Sequence, residues 1–192
     1  IQNILLAVLA GFVRNIKIED IRVALQTFIP SPAQTPGRMN FFQFKEFEVL
    51  VDFAHNTEGF KALGKFLEKI ETSPKIGVIA GVGDRRDEDI IELGALSAHM
   101  FDELIIRCDK NLRGRPVQEL IDLIVEGINS QDKGKPWKAI PNEMEAIAYA
   151  LKNAPKGSLN IICSDTIPEA LDLVKKLKEE EDKFVLTKAD IS

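Results

Sequence analysis

Apolar positions along the chain recur with two different periods, and the switch between them lays out the elements. Ile4, Leu5, Val8, Leu9 and Phe12 share one helical face ending near Gly11 to Asn15. A second helix opens at Ile18-Glu19-Asp20, with acids in its first turn, and runs through Ile21, Leu25 and Phe28. Then comes Pro30-Ser31-Pro32-Ala33-Gln34-Thr35-Pro36-Gly37. Three prolines and a glycine in eight positions leave no room for a helix or a central strand, so this stretch reads as a linker and domain boundary.

Beyond it, Met39 to Phe44 and Phe47 to Val51 read as two strands joined by the tight turn Lys45-Glu46, an antiparallel hairpin. Helices and strands then alternate. Helices are expected at Thr57 to Ile70, Glu88 to Met100, Val117 to Ile128, Met144 to Leu151 and Pro168 to Lys178. Strands are expected at Ile76 to Ala80, Leu104 to Arg107, Trp137 to Ile140, Leu159 to Cys163 and Phe184 to Thr187. This alternation predicts an α/β fold with a mostly parallel sheet covered by helices on both faces. No internal repeat is visible, and the charged run Lys175 to Lys183 reads as a solvated helix end.

The bulk composition narrows the class. At 192 residues the chain can build one good core, or one domain and a piece of another. Hydrophobic residues at 45% and charged residues at 29% are the balance of a soluble globular protein, and no apolar run approaches the ~18 residues of a membrane span. A net charge of -5 argues against a dedicated nucleic-acid binder. The 2 cysteines, Cys108 and Cys163, form no Cys-x-x-Cys pattern, which suggests neither a zinc site nor a disulfide framework and fits the reducing cytoplasm. The chain starts at Ile1 and its first methionine is Met39, so it is expected to be a piece of something longer.

In a parallel sheet the strands' carboxyl ends line one edge, where ligands collect. Three polar corners fall there. The first is Asp52-Phe53-Ala54-His55-Asn56, where the apolar run Val49-Leu50-Val51 ends and Asn56 or Thr57 can cap the next helix. The second is Gly81-Val82-Gly83-Asp84-Arg85-Arg86-Asp87-Glu88-Asp89, with glycines that admit close backbone approach at a helix start. The third is Asp109-Lys110-Asn111-Leu112-Arg113-Gly114-Arg115. Guanidinium groups can clamp a carboxylate bidentately while acids receive a cation, so the mixture suits a zwitterionic ligand; the plainer alternative is a set of solvated, self-paired loops.

Other candidates carry less. Gly59 to Lys65 spells Gly-x-x-x-x-Gly-Lys, but Phe66 stands where a phosphate loop needs Ser or Thr, and the segment lies inside a helical pattern. Lys65 therefore reads as surface. His99 packs or faces water, and Cys108 has no histidine beside it in sequence to act as base.

Gly37-Arg38 after the linker and Asp52-Phe53-Ala54-His55-Asn56 resemble the Gly-Arg and Asp-Tyr-Ala-His-Asn motifs of the Mur ligase family. Gly83 to Ile90, and Phe101 to Arg107 followed by Asp109 and Leu112-Arg113-Gly114-Arg115, resemble the subgroup whose ligase module adds arginine to the β-carboxyl of an aspartate side chain. The resemblance covers nearly the whole chain. It implies that residues 1–36 are the last helices and linker of the family's central domain, and that residues 37–192 are its carboxy-terminal domain, a Rossmann-like sheet that begins with the hairpin. Phe53 for Tyr should spare the corner's geometry; Thr57 replaces a frequent Pro. Cys108 stands where an acid is usual and leaves the amino-acid specificity open.

By this resemblance, ATP phosphorylates a carboxylate and an amine attacks the acyl phosphate. Arg38, Asp52, His55 and Asn56 would face the nucleotide; Asp84, Arg85, Arg86, Asp87, Asp109, Lys110, Arg113 and Arg115 would face the amino acid and its acceptor. No catalytic residue or metal ligand is assigned on this chain. The cofactors implied are ATP and Mg2+, with magnesium ligands mainly in the central domain; lacking an intact phosphate loop, the chain should not turn over ATP alone. Implied partners are an amino acid (arginine), an acidic acceptor polymer and the rest of the same polypeptide, with no nucleic acid or membrane; a homo-oligomer stays open. Two alternatives remain: a folylpolyglutamate synthetase-like ligase, and a non-catalytic α/β domain that binds a nucleotide or metabolite.

Overall fold

A computed structural model describes residues 2–28 and 31–189. Packing divides the chain into two units, Ile1–Pro30 and Ser31–Ser192. In the first, α1 (Gln2–Val13) and α2 (Ile18–Thr27) form the expected pair. Ile16 N–H donates to the Gly11 carbonyl at 3.0 Å to close the turn, with Asn15 at a φ of 58°. Two helices cannot cover their own apolar faces. Leu5, Leu9, Phe12, Ile18 and Leu25 stay exposed and line an open groove of about 450 Å³.

The second unit runs β1 (Asn40–Gln43), β2 (Glu48–Asp52), α3 (Thr57–Leu67), β3 (Lys75–Gly81), α4 (Asp87–Met100) and β4 (Glu103–Cys108). It continues with α5 (Val117–Gln131), β5 (Trp137–Ala139), α6 (Glu143–Lys152), β6 (Leu159–Cys163) and α7 (Ile167–Ala189). The strands form a six-stranded sheet in the order β1-β2-β6-β3-β4-β5. β1 pairs antiparallel with β2, Asn40 opposite Val51, and every other pairing is parallel. The fold class and the hairpin are as expected from the sequence.

Strand side chains alternate between two cores because successive residues point to opposite faces. Leu50, Ile79, Ile106 and Ile161 pack on one face with Phe60 of α3, Ile90 of α4 and Ile124 of α5. Val51, Val78, Ile105 and Ile162 pack on the other with Ile147 of α6 and Leu171 and Val174 of α7. With both faces covered, the central strands can be apolar throughout, as parallel strands usually are.

One expected element is absent. Phe184 to Thr187 is not a strand, because α7 runs unbroken from Ile167 to Ala189. A short β-branched and aromatic run is ambiguous by itself. Here the preceding helix is laced by i,i+3 and i,i+4 pairs, Lys178 with Glu181 at 3.0 Å and with Asp182 at 2.6 Å, and it carries the run along.

Candidate functional site

The linker's exit is folded onto the end of β2. Gly37 has a φ of +69°, and a Cβ there would lie 2.5 Å from Ile167 Cδ1, so only glycine fits. Its N–H donates to Asn40 Oδ1 at 2.7 Å, and Asn40, itself buried, donates back to the Thr35 and Arg38 carbonyls. Phe53 N–H reaches the Gly37 carbonyl at 2.8 Å and Met39 N–H reaches Asp52 Oδ2 at 2.9 Å. Arg38 is thereby brought beside Asp52, with its guanidinium carbon 5.1 Å from the Phe53 ring centre.

Within the corner each group has a defined task. Asp52 Oδ1 accepts from Ala54 N–H at 2.9 Å. Burial raises the Asp52 pKa, opposed by its two backbone hydrogen bonds and by Arg38. His55 Nδ1 lies 2.9 Å from the Phe53 carbonyl, which can only accept, so Nδ1 carries the proton and Nε2 of the neutral ring is left as an acceptor. Asn56 caps α3, its Oδ1 accepting from Gly59 N–H at 2.8 Å.

The second and third corners are fastened to each other. A Cβ on Gly83 would lie 2.3 Å from the Leu112 carbonyl oxygen, so the two backbones touch. Arg115 donates to the Arg85 carbonyl at 3.1 Å, to Asp87 at 2.6 Å and to Glu119. Asp84 pairs loosely with Arg85 at 3.8 Å, and Arg86 pairs with Asp89 at 2.8 Å. Lys110 pairs with Glu169 at 3.1 Å. Arg113 is different: exposed, at a φ of 54°, it has no side-chain partner among the described residues.

Sequence reasoning missed a buried centre at the same edge. Arg107, inside β4 and facing α6 and α7, donates to the Cys163 carbonyl through Nε at 3.2 Å and Nη2 at 2.8 Å. Its Nη1 lies 3.0 Å from Asp109, 2.7 Å from Asp165 and 3.4 Å from Glu143. Glu143 also accepts from Ser164 Oγ, and from Thr166 Oγ1 at 2.6 Å. Burial pushes the Asp109 carboxyl up to about 6; Arg107 pulls it down and Asp165 pushes it further up. Asp109 thus has an internal cation as partner. Two signals could have pointed here: a lone arginine closing the apolar run Leu104-Ile105-Ile106, and Ser164-Asp165-Thr166, a fourth polar corner after a strand.

Two clefts open along this edge. One of about 320 Å³ is lined by His55, Asn56, Arg85 and Asp89 over apolar Val82, Ile90 and Leu93. The other, of about 330 Å³, is lined by Asp109, Lys110, Leu112, Asn142, Glu143 and Met144. Asp84, Arg86 and Asp87 line neither cleft. Cys108 lines the second cleft, but burial raises its thiol and pushes that of Cys163 up to about 12, so both stay protonated at neutral pH.

The sequence pattern of the Mur ligase glutamate ligase domain matches residues 37–190, which takes in all of these corners. The chain belongs to the Mur ligase family. Cyanophycin synthetase of Crocosphaera subtropica is 42% identical to it over 176 residues, 92% of this chain and 20% of the relative. The chain thus spans about a fifth of the length of that Mur ligase relative. MurF from Acinetobacter baumannii superposes with a TM-score of 0.63 at 19% identity, covering 93% of this chain and 37% of MurF. E. coli FolC in complex with ADP gives 0.63 at 17% identity over 85% of this chain and 36% of FolC. At such identities the structural matches speak for the fold alone, that of the Mur ligase carboxy-terminal domain.

Proposed function

We propose that this chain is the carboxy-terminal domain of an ATP-dependent, amide-bond-forming ligase of the cyanophycin synthetase type. In this reading it closes over the nucleotide and delivers an incoming amino acid, arginine, to the activated β-carboxyl of an aspartate in an acidic polymer. The observation that carries the reading is the convergence at the end of β2 of Arg38, beside Asp52 and over the Phe53 ring, with His55, whose ring lies 4.4 Å from that of Phe53, in a chain 42% identical to a cyanophycin synthetase.

The residues present fit a nucleotide. Arg38 offers an exposed guanidinium for a phosphate, each Asp52 oxygen keeps a lone pair beyond its one backbone donor, and His55 Nε2 is an acceptor for a base or sugar donor. The Asp52 carboxylate suits a ribose hydroxyl. Among the described residues no group of three His, Cys, Asp or Glu side chains is arranged to hold a metal ion; in this reading the magnesium that accompanies ATP would be held mainly by the central domain. Among the described residues no helix is long and apolar enough to cross a membrane.

The test uses the full-length enzyme. Phosphate release from ATP should require L-arginine and an acceptor ending in aspartate, and Arg38→Ala should raise the KM for ATP at least about tenfold, ~1.4 kcal/mol of binding. Phosphate release that depends on a folate instead, or an ATP KM indifferent to Arg38, would refute the reading.

A further inference from the structure

Arg107 lies in none of the loops assigned above to nucleotide or amino acid, yet the edge hangs on it. Its side chain is 4% exposed and at the carboxyl end of β4, on a face where the neighbouring strand positions Val78, Ile105 and Ile162 are aliphatic. Burying a charge there has no evident advantage for stability, since apolar replacements of buried ion clusters are often neutral or stabilising. What the guanidinium supplies is geometry: a rigid planar fork with donors in fixed directions.

Those donors tie three segments together. Asp109 begins the loop that carries Arg113, Asp165 begins the turn into α7, and Glu143 begins α6 while also holding Ser164 and Thr166. The bonds nearest Arg113 are local, Asn111 Oδ1 accepting from Arg113 N–H at 3.0 Å and the Leu112 carbonyl from Arg115 N–H at 3.0 Å, while the far end of the loop is tied through Arg115 to Arg85 and Asp87 and its near end through Lys110 to Glu169. Where Arg113, without a side-chain partner among the described residues, stands therefore depends on both ends of the loop, and the end at Asp109 is the one that Arg107 holds.

We infer that Arg107 is a positioning residue for the incoming amino acid, orienting the Asp109–Arg115 loop through Asp109 and Asp165 so that Arg113 can receive the amino acid's carboxylate. This rests on the reading above, in which that loop faces the amino acid.

The experiment measures phosphate release by the full-length enzyme with ATP, L-arginine and an aspartate-terminated acceptor peptide. Asp165→Ala cuts one tie and leaves Arg107 paired with Asp109 and Glu143, so the fold is retained. It should raise the L-arginine KM several-fold, with the ATP KM and the melting temperature nearly unchanged. Arg107→Lys should act in the same direction and more strongly, because an ammonium cannot reproduce the fork; if this variant does not fold, Asp165→Ala alone decides. An L-arginine KM that stays put in folded variants, or KM values for ATP and L-arginine that rise together, would overturn the inference. Arg113→Ala separates the two levels. If it raises the L-arginine KM while Asp165→Ala does not, only the role of Arg107 falls; if Arg113→Ala is also silent, the loop's assignment falls with it.

Discussion

Arg115 donates to Asp87 across 2.6 Å, joining two loops that lie 28 positions apart in sequence. Arg113, two residues earlier, has no such tie among the described residues. The two arginines should therefore separate experimentally. Arg115→Ala should lower the melting temperature of the chain and loosen both loops. Arg113→Ala should leave the melting temperature alone and raise the amino-acid KM of the full-length enzyme, with Arg113→Lys nearly as damaging because the two-bond fork is lost. Equal melting temperatures and equal KM values for the two alanine variants would contradict this division.

Gly83 supplies a test of the same junction without touching a charge. A methyl group there would lie 2.3 Å from the Leu112 carbonyl oxygen, so Gly83→Ala must push two backbones apart. Overpacking of this kind costs about 1–3 kcal/mol. Chemical denaturation of the chain should show the midpoint falling at an unchanged slope; a midpoint equal to wild type would mean the loops are not in contact in solution.

Asn56 and Asn142 cap α3 and α6 through equivalent bonds, to Gly59 N–H at 2.8 Å and Glu145 N–H at 3.1 Å. Either change to alanine should cost about 1 kcal/mol of stability. Only Asn56→Ala should also raise the ATP KM, since Asn56 alone shares a cleft with His55. A matching ATP effect from Asn142→Ala would argue that the caps act on activity merely through stability.

Asp109 should leave a pH signature. Its carboxyl is raised from an ordinary 3.8 to about 6, chiefly by burial. The folded chain then holds this proton more tightly than the unfolded chain. The stability this confers is complete below about 3.8 and is lost as pH rises through about 6. Asp109→Asn keeps an oxygen for Arg107 and cannot titrate. Thermal melts across that window should show the variant gaining on wild type as pH rises; a constant difference would mean that Asp109 is not perturbed.

The fold was legible because its determinants are local. Alternating strand and helix periods and the three polar corners stand in the sequence, and they suffice for a mostly parallel sheet with a polar edge at the carboxyl ends of its strands. Phe184 to Thr187 was misread because a short apolar run has no period of its own, and the helix leading into it decides.

The partnerships were not legible, for a physical reason. A side chain's charge and shape are written in the sequence, but its free energy is set by what the fold brings within hydrogen-bonding distance. Arg107 and Asp165 are 58 positions apart and Arg107 and Glu143 are 36 apart, so nothing short of the order β6-β3-β4 and the placement of α6 and α7 could bring them together. The sequence by itself determined which edge is polar and which motifs meet a nucleotide family's pattern. Only the tertiary structure decided that Asp109 and Arg115 are committed to internal partners while Arg38 and Arg113 remain exposed, because burial and pairing belong to the assembled edge and not to any one loop.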